Sequence, residues 1–207
     1  MLAICLDLEG VLIPEIWINV AERTGITALT RTTRDEPDYD RLMSYRLGIL
    51  DQNNIKMDDI TSTIGSMEPM EGATEFLASL ESRWPTLILS DTFSQFAKPM
   101  MKKLGNPTLL CHTLLIDETG RIEDWKIRYD DHKRKTVDSL IEMNYQVIAA
   151  GDSYNDTSML SAASAGILFR PPENVIEEFP QFPVAMDYSE LIDEIESAAT
   201  DLGELWN

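Results

Sequence analysis

Four short stretches carry residue types that could do chemistry together. The first is Ile4-Cys5-Leu6-Asp7-Leu8-Glu9-Gly10-Val11, an apolar run that ends in one carboxylate, with a second two positions on and then a glycine. A carboxylate such as Asp7 can attack phosphorus and carry it as an aspartyl-phosphate. A second carboxyl, Glu9, can protonate a leaving oxygen and later deprotonate water. The second stretch is Ser90-Asp91-Thr92, directly after the apolar Leu87-Ile88-Leu89. A hydroxyl and free backbone N–H groups at such a place can hold phosphate oxygens; taken alone, Ser90 or Thr92 equally reads as the cap of a helix beginning at Phe93. The third is Asp131-His132-Lys133-Arg134-Lys135 at a helix start. Cations there run against the helix dipole, so an anionic ligand or partner carboxylates must meet them. Lys133 is the candidate, while Arg134 and Lys135 read as a solvated basic face. The fourth is Gly151-Asp152-Ser153-Tyr154-Asn155-Asp156, with two carboxylates and an amide close behind another apolar run. Mg2+ takes oxygen ligands and needs only one or two carboxylates beside a phosphate. It would offset the crowding of Asp7 with Asp152 and neutralise a transferring phosphoryl group.

These residues need strands to carry them. Short apolar runs at 4–6, ending at Asp7, and at 86–90, 108–111, 146–150 and 166–169 read as buried strands, with a last short one near 184–186. Helical periodicity fills most intervals between them, including one after Gly72 with Phe76, Leu77 and Leu80 inward, and 93–104, 133–143 and 188–202. Leu114 to Arg128 reads as a β-hairpin turning through Asp117-Glu118-Thr119-Gly120. Alternating strands and helices argue for a parallel sheet covered on both faces. Such sheets bind ligands at the carboxyl ends of their strands, where all four clusters fall. Residues 14–68 break the alternation. They read as helix after helix, one of them capped by Asp38, inserted between the first and second strands. A helical piece there would stand over the Asp7 strand end and could close it against water.

The chain has 207 residues, enough to bury a substantial core. Its 17 basic and 36 acidic residues leave a formal net charge of −19, which opposes nucleic acid and anionic membranes as partners. An anionic substrate would need a local basic cluster or a metal. Cys5 and Cys111 sit in apolar runs and read as two reduced core thiols, which together with the absence of a signal-type or membrane-spanning run points to the cytoplasm. His112 and His132 read as structural or surface residues. A monomer and a homodimer are both compatible with the composition.

In order, Asp7-Leu8-Glu9-Gly10-Val11, Ser90, Lys133 and Gly151-Asp152-Ser153-Tyr154-Asn155-Asp156 resemble the four motifs of the haloacid dehalogenase-like phosphatases, over nearly the whole chain. The resemblance implies an α/β fold: a Rossmann-like parallel sheet core of residues 1–13 and 69–207, with a small helical cap at 14–68 and a β-hairpin. It implies Mg2+ held by the Asp7 carboxylate, the Glu9 main-chain carbonyl and Asp152, with Asp156 behind them. Asp7 is then the nucleophile and Glu9 the acid and base. Ser90 and Lys133 hold phosphoryl oxygens, and Asp91, Thr92 and Asn155 join the substrate-binding groups. The helical insertion resembles the cap of the phosphoserine phosphatase branch. There Glu15 would take the substrate ammonium and Arg46 its carboxylate, pairings that suit the chemistry of both side chains.

The chain departs from the usual motifs at Glu9, where Asp is usual, at Val11, where Thr is usual, and at Asp91 and Thr92, where glycines are usual. In these features it resembles a bacterial subgroup of phosphoserine phosphatases that also pass the phosphoryl group to homoserine. The expectation is Mg2+-dependent hydrolysis of O-phospho-L-serine to L-serine and phosphate through an aspartyl-phosphate. The alternatives are homoserine as acceptor, or another small phosphomonoester as substrate.

Overall fold

The computed structural model describes residues 1–32, 35–36 and 38–203. Its centre is a sheet of seven strands in the order β4-β3-β2-β1-β5-β6-β7. These are β1 (Leu2–Leu6), β2 (Thr86–Phe93), β3 (Thr108–Ile116), β4 (Ile122–Lys126), β5 (Gln146–Gly151), β6 (Ala165–Phe169) and β7 (Val184–Ala185). Neighbours pair in parallel except β3 with β4, which run antiparallel. β1 lies between β2 and β5, so the strand order turns in both directions from it. That is the place where open α/β sheets form a crevice at their carboxyl ends.

β1 shows how the sheet is covered. Leu2, Ile4 and Leu6 point into one apolar cluster, and Ala3 and Cys5 into another, as the two-residue period of a strand requires. On the first face lie helices α4 (Ala73–Glu81), α5 (Ser94–Lys103) and α9 (Tyr188–Asp201), through Phe76, Leu77, Phe96, Leu191 and Ile195. On the second lie α6 (His132–Glu142), α7 (Thr157–Ala162) and α8 (Glu173–Glu178), through Val137, Leu140, Met159 and Val175. Both faces being buried explains why the strands read as unbroken apolar runs rather than alternating ones. Cys5 and Cys111 are free thiols; Cys5 is buried as expected, whereas Cys111 is only half-buried, because β3 is near the sheet edge.

Between β1 and α4 the described residues hold no strand. They form α1 (Ile16–Thr24), a short 3-10 turn (Thr27–Thr30), α2 (Tyr39–Gln52) and α3 (Met57–Gly65). Asp38 caps α2 by accepting the Arg41 N–H at 3.1 Å. This helical segment is fastened to the tip of the β3–β4 hairpin. The Met57 N–H donates to the Gly120 carbonyl at 2.8 Å, Lys56 Nζ donates to the Thr119 carbonyl, and Arg121 grips Asp51 with two bonds of 2.7 and 2.6 Å. The hairpin turn itself is held by Asp117, whose Oδ1 accepts the N–H groups of Thr119 and Arg121.

Two strands differ most from their sequence-based bounds. β3 runs unbroken from Thr108 to Ile116, where the sequence reads as a short strand and a separate hairpin arm. Its first half pairs with β2 and its second with β4, so one strand serves both. β2 continues past Ser90 to Phe93, but irregularly. Leu89 pairs with Leu110 and Phe93 with His112, so β2 carries two residues more than β3 across the same interval. This bulge lifts Ser90, Asp91 and Thr92 out of regular pairing, a device that re-aims side chains beside sites.

Candidate active site

Asp7 follows the last residue of β1, and its backbone N–H still bonds to the Ala150 carbonyl of β5 at 2.9 Å. The chain then turns sharply, with Gly10 at φ 78°. A side chain at Gly10 would fail twice. The positive φ disfavours it, and a Cβ would lie 2.5 Å from the Asp152 carboxyl carbon. Gly151 is needed for space alone, since its Cβ would lie 2.4 Å from Asp156 Cβ. Gly10 lets the backbone of the first motif approach the Asp152 carboxylate of the fourth, and Gly151 lets the fourth motif fold back onto its own Asp156.

Lys133, in the first turn of α6, is the hub. It is only 3 % exposed, and its Nζ lies 2.8 Å from Asp7 Oδ1, 2.7 Å from Asp156 Oδ1 and 3.7 Å from Asp91 Oδ2. The cation that opposes the helix dipole is thus met by carboxylates, as its position demands. Burial alone would lower its pKa, but Asp156, Asp7 and Asp91 carry it well above the usual lysine range. Arg134, by contrast, is partly exposed and pairs with Asp131 and Asp138.

Asp7 is buried, and its two oxygens differ. Oδ1 accepts from Lys133 and from the Leu8 N–H at 2.7 Å, which leaves Oδ2 free of both bonds. Burial, with Asp156 and Asp152 adding to it against Lys133, raises the Asp7 pKa well above the carboxylate range. Asp152, pressed by burial, Asp156 and Glu15, is pushed up to about 7. Asp156 is fully buried and fully engaged. Oδ1 takes Lys133, and Oδ2 accepts the N–H groups of Asp152 and Ser153. Asp7, Asp152 and Asp156 offer oxygens within 4.8 Å of one another. Three carboxylates meet one ammonium, so the cluster is short of positive charge. An all-oxygen set with that deficit fits a hard divalent cation.

Glu9 lies beside this cluster. Its Oε2 accepts the Ile16 N–H at 2.8 Å, so it serves the orphan N–H at the start of α1. Burial first, then the neighbouring Glu15, raise it to about 8, while the Ile16 N–H and the Thr92 hydroxyl bond work the other way. The raised pKa favours the protonated form of Glu9 near neutral pH. Ser90 and Thr92 are both buried, and the Thr92 N–H donates to Ser90 Oγ at 3.2 Å. Thr92 thus faces Glu9 with its hydroxyl. Glu15 is exposed but close to Glu9 and Asp152.

Arg46 of α2 is buried, with its guanidinium 4.5 Å from the centre of the Trp17 ring and Nη2 donating to the Arg31 carbonyl at 2.9 Å. Its Nε is buried without a hydrogen-bond partner, an unspent donor. Burial lowers its pKa to about 10 against Tyr39, Glu9 and Glu15, which support the charge. Asn155 stands apart from the buried group: it is exposed, and its Oδ1 accepts from Ser153 Oγ at 3.3 Å.

Sequence reading missed the surroundings of Asp91. His112 and His132 are neither surface residues nor plain packing. Both are buried, with rings 4.7 Å apart, and their Nε2 atoms lie 3.5 and 3.2 Å from Asp91 Oδ1. Burial would raise the Asp91 pKa, but Lys133 and the two histidines hold it well below the carboxylate range. The Asp91 carbonyl also accepts the Tyr39 hydroxyl of α2 at 3.2 Å. Nothing in the sequence spacing of residues 39, 91, 112 and 132 could have signalled this.

No family model matches the chain. It is 57 % identical over 187 residues to a Pseudomonas aeruginosa protein named phosphoserine phosphatase ThrH, covering 90 % of this chain and 91 % of that one. A Pseudomonas syringae pv. tomato phosphoserine phosphatase is 56 % identical, over 90 % of this chain and 79 % of its own length. Among solved structures, a phosphoserine phosphatase in apo form superposes with a TM-score of 0.75 at 18 % identity, over 92 % of this chain and 97 % of that one. A phospho-aspartyl intermediate analogue of phosphoserine phosphatase gives the same TM-score and identity, over 93 % and 97 %. The structural matches speak to the fold. The sequence identities, over nearly full length, place more than that: the chain belongs to the phosphoserine phosphatase branch of the haloacid dehalogenase-like hydrolases.

Proposed function

We propose that the chain is a Mg2+-dependent phosphoserine phosphatase acting through an aspartyl-phosphate on Asp7. The observation that carries this is the contact set of Asp7: a buried carboxylate with one oxygen locked by Lys133 and a backbone N–H, and the other free of both bonds, in a cluster with Asp152 and Asp156. Asp7 and Asp152, with the Glu9 main-chain carbonyl, would hold Mg2+, which when bound supplies positive charge to the ligand carboxylates and to phosphoryl oxygens. Asp156 would stay behind them, since its oxygens already serve Lys133 and two N–H groups.

Asp7 Oδ2 attacks phosphorus, forming the Asp7–phosphoryl bond as the bond to the serine oxygen breaks. Glu9, whose raised pKa favours the protonated form near neutral pH, gives its proton to that oxygen. The resulting Glu9 carboxylate takes a proton from water, which attacks phosphorus and releases phosphate and Asp7. Lys133 and the Ser90 hydroxyl hold phosphoryl oxygens in both steps. Helices α1 to α3 act as a cap, with the core in residues 1–13 and 69–207. Arg46 receives the substrate carboxylate and Glu15 its ammonium. The free thiols support a reducing compartment such as the cytoplasm.

Purified protein should release phosphate from O-phospho-L-serine at least about tenfold faster with Mg2+ than with EDTA. The same assay with homoserine added tests the second acceptor, through formation of phosphohomoserine. No Mg2+-dependent release from phosphoserine would sink the reading. Arg46→Ala should raise the KM for phosphoserine by roughly 10- to 100-fold, the scale of a lost charge-assisted pair, and change kcat less. Phosphoethanolamine lacks the carboxylate, so its turnover should be insensitive to the same substitution. Equal losses on both compounds would remove Arg46 from substrate recognition.

A further inference from the structure

We infer that Asp91, held by His112 and His132, is a positioning residue that fixes the ammonium of Lys133 for phosphoryl transfer. The inference rests on the reading above in one respect, that Lys133 works at the phosphoryl site.

The geometry assigns the two ends of Asp91 to different tasks. The β2 bulge turns its carboxylate out of the sheet and toward the start of α6. Oδ1 faces the two imidazoles, at 3.5 and 3.2 Å, and Oδ2 faces Lys133 at 3.7 Å. The bulge also sets Phe93 opposite His112, which brings the ring to the carboxylate's flank. At 3.7 Å Oδ2 does not bond to the ammonium; it attracts it by charge. That attraction matters most after the first step. Asp7 enters the reaction as an anion and leaves the first step as an acyl phosphate, its own carboxylate charge gone and the negative charge carried by the phosphoryl oxygens. Lys133 then keeps Asp156 on one side and Asp91 on another, so the ammonium stays between them, facing the phosphoryl group.

The histidines hold the carboxylate in this orientation. The Arg128 N–H donates to His112 Nδ1 at 3.3 Å. Nδ1 is therefore an acceptor, and the ring's proton sits on Nε2, the atom facing Asp91. His132 has both ring nitrogens buried without an aligned hydrogen-bond partner, and its Nε2 is closer to Asp91 Oδ1 than that of His112. Two imidazoles and one carboxylate could also be taken as a transition-metal site. The direction of the Arg128 bond argues against it. A metal on His112 Nε2 would put the proton on Nδ1, against the Arg128 N–H, whereas metal-bound imidazoles donate from their other nitrogen.

The test is a set of variants assayed with phosphoserine and Mg2+, each checked for its melting temperature. Hydrolysis by the unaltered chain comes first; its absence overturns the proposed function, and with it the phosphoryl-site role of Lys133 on which this inference rests. Asp91→Asn should lower kcat by roughly 10- to 100-fold, the scale for losing a group that orients a catalytic one, with KM within about threefold. His112→Ala should lower kcat by roughly tenfold, and His112→Gln, whose amide N–H can reach the same oxygen, should recover most of it. The double variant Asp91→Asn/His112→Ala should be no slower than Asp91→Asn alone, because the histidine acts through the carboxylate. Multiplying effects would overturn the inference, as would wild-type kcat in Asp91→Asn or equal defects in His112→Ala and His112→Gln. One equivalent of zinc bound by the wild type and lost in His132→Ala would overturn it in favour of a metal site.

Discussion

Replacing Asp7 with Asn should lower phosphoserine turnover by about a thousandfold or more while leaving the fold as stable as before. The first half follows from the role of the free oxygen: an amide cannot attack phosphorus, and loss of a nucleophile removes the whole covalent route. The second half follows from charge. Asp7, Asp152 and Asp156 meet one ammonium, and burial with its neighbours raises the Asp7 pKa well above the carboxylate range. For an acid, a raised pKa means that the folded protein favours the uncharged form, so at neutral pH the ionised carboxylate weakens the metal-free fold. Asn removes that strain at nearly constant shape. Without divalent ions its melting temperature should equal or exceed that of the wild type. Added Mg2+ should raise the wild-type melting temperature more than that of the variant, since binding to the folded state stabilises it. A variant that keeps full turnover, or that melts well below the wild type in EDTA, contradicts the account.

Lys133→Met should have the opposite signature, losing activity and stability together. Lys133 is almost wholly buried and is the one cation bonded to both Asp7 and Asp156 among the described residues. Methionine fills much of the space but leaves those carboxylates facing each other. Removing one partner of a buried ion pair costs about 3–5 kcal/mol, a large part of a typical domain's stability. Turnover should fall by roughly 10²- to 10³-fold, as for other buried groups that neutralise charge in a transition state. Arginine should not restore it. Its planar fork cannot replace a compact ammonium pointing at three oxygens around it. Urea unfolding and steady-state kinetics together check this. A Lys133→Met protein as stable as the wild type would mean that the carboxylates are neutralised by some other means.

The contrast between these variants shows what could be read beforehand. The residue types were legible because each motif is local: an apolar run long enough for a strand, then a group too polar to be buried without a reason. Asp7, Ser90 and Asp152 were legible in that way, and Lys133 by a different local sign, a cation set against the dipole of the helix it begins. Two smaller expectations were not met. The separate strand and hairpin arm proved to be one strand, because β3 finds a partner on each side in turn. Cys111 is only half-buried, because β3 lies one strand from the sheet edge.

By itself, then, the chain's order of amino acids determined the strands, the helical stretch after the first of them, and which side chains sit at strand ends. Strand formation and helix periodicity depend on near neighbours, so they are written locally. Only the tertiary structure decided which oxygen of Asp7 is locked, that Thr92 turns to Glu9, that Arg46 keeps a free donor, and that two histidines brace Asp91. Each of those is set by contacts between distant segments. They follow from the sheet order that puts β1 between β2 and β5, and from a two-residue bulge whose size no pattern along the chain records.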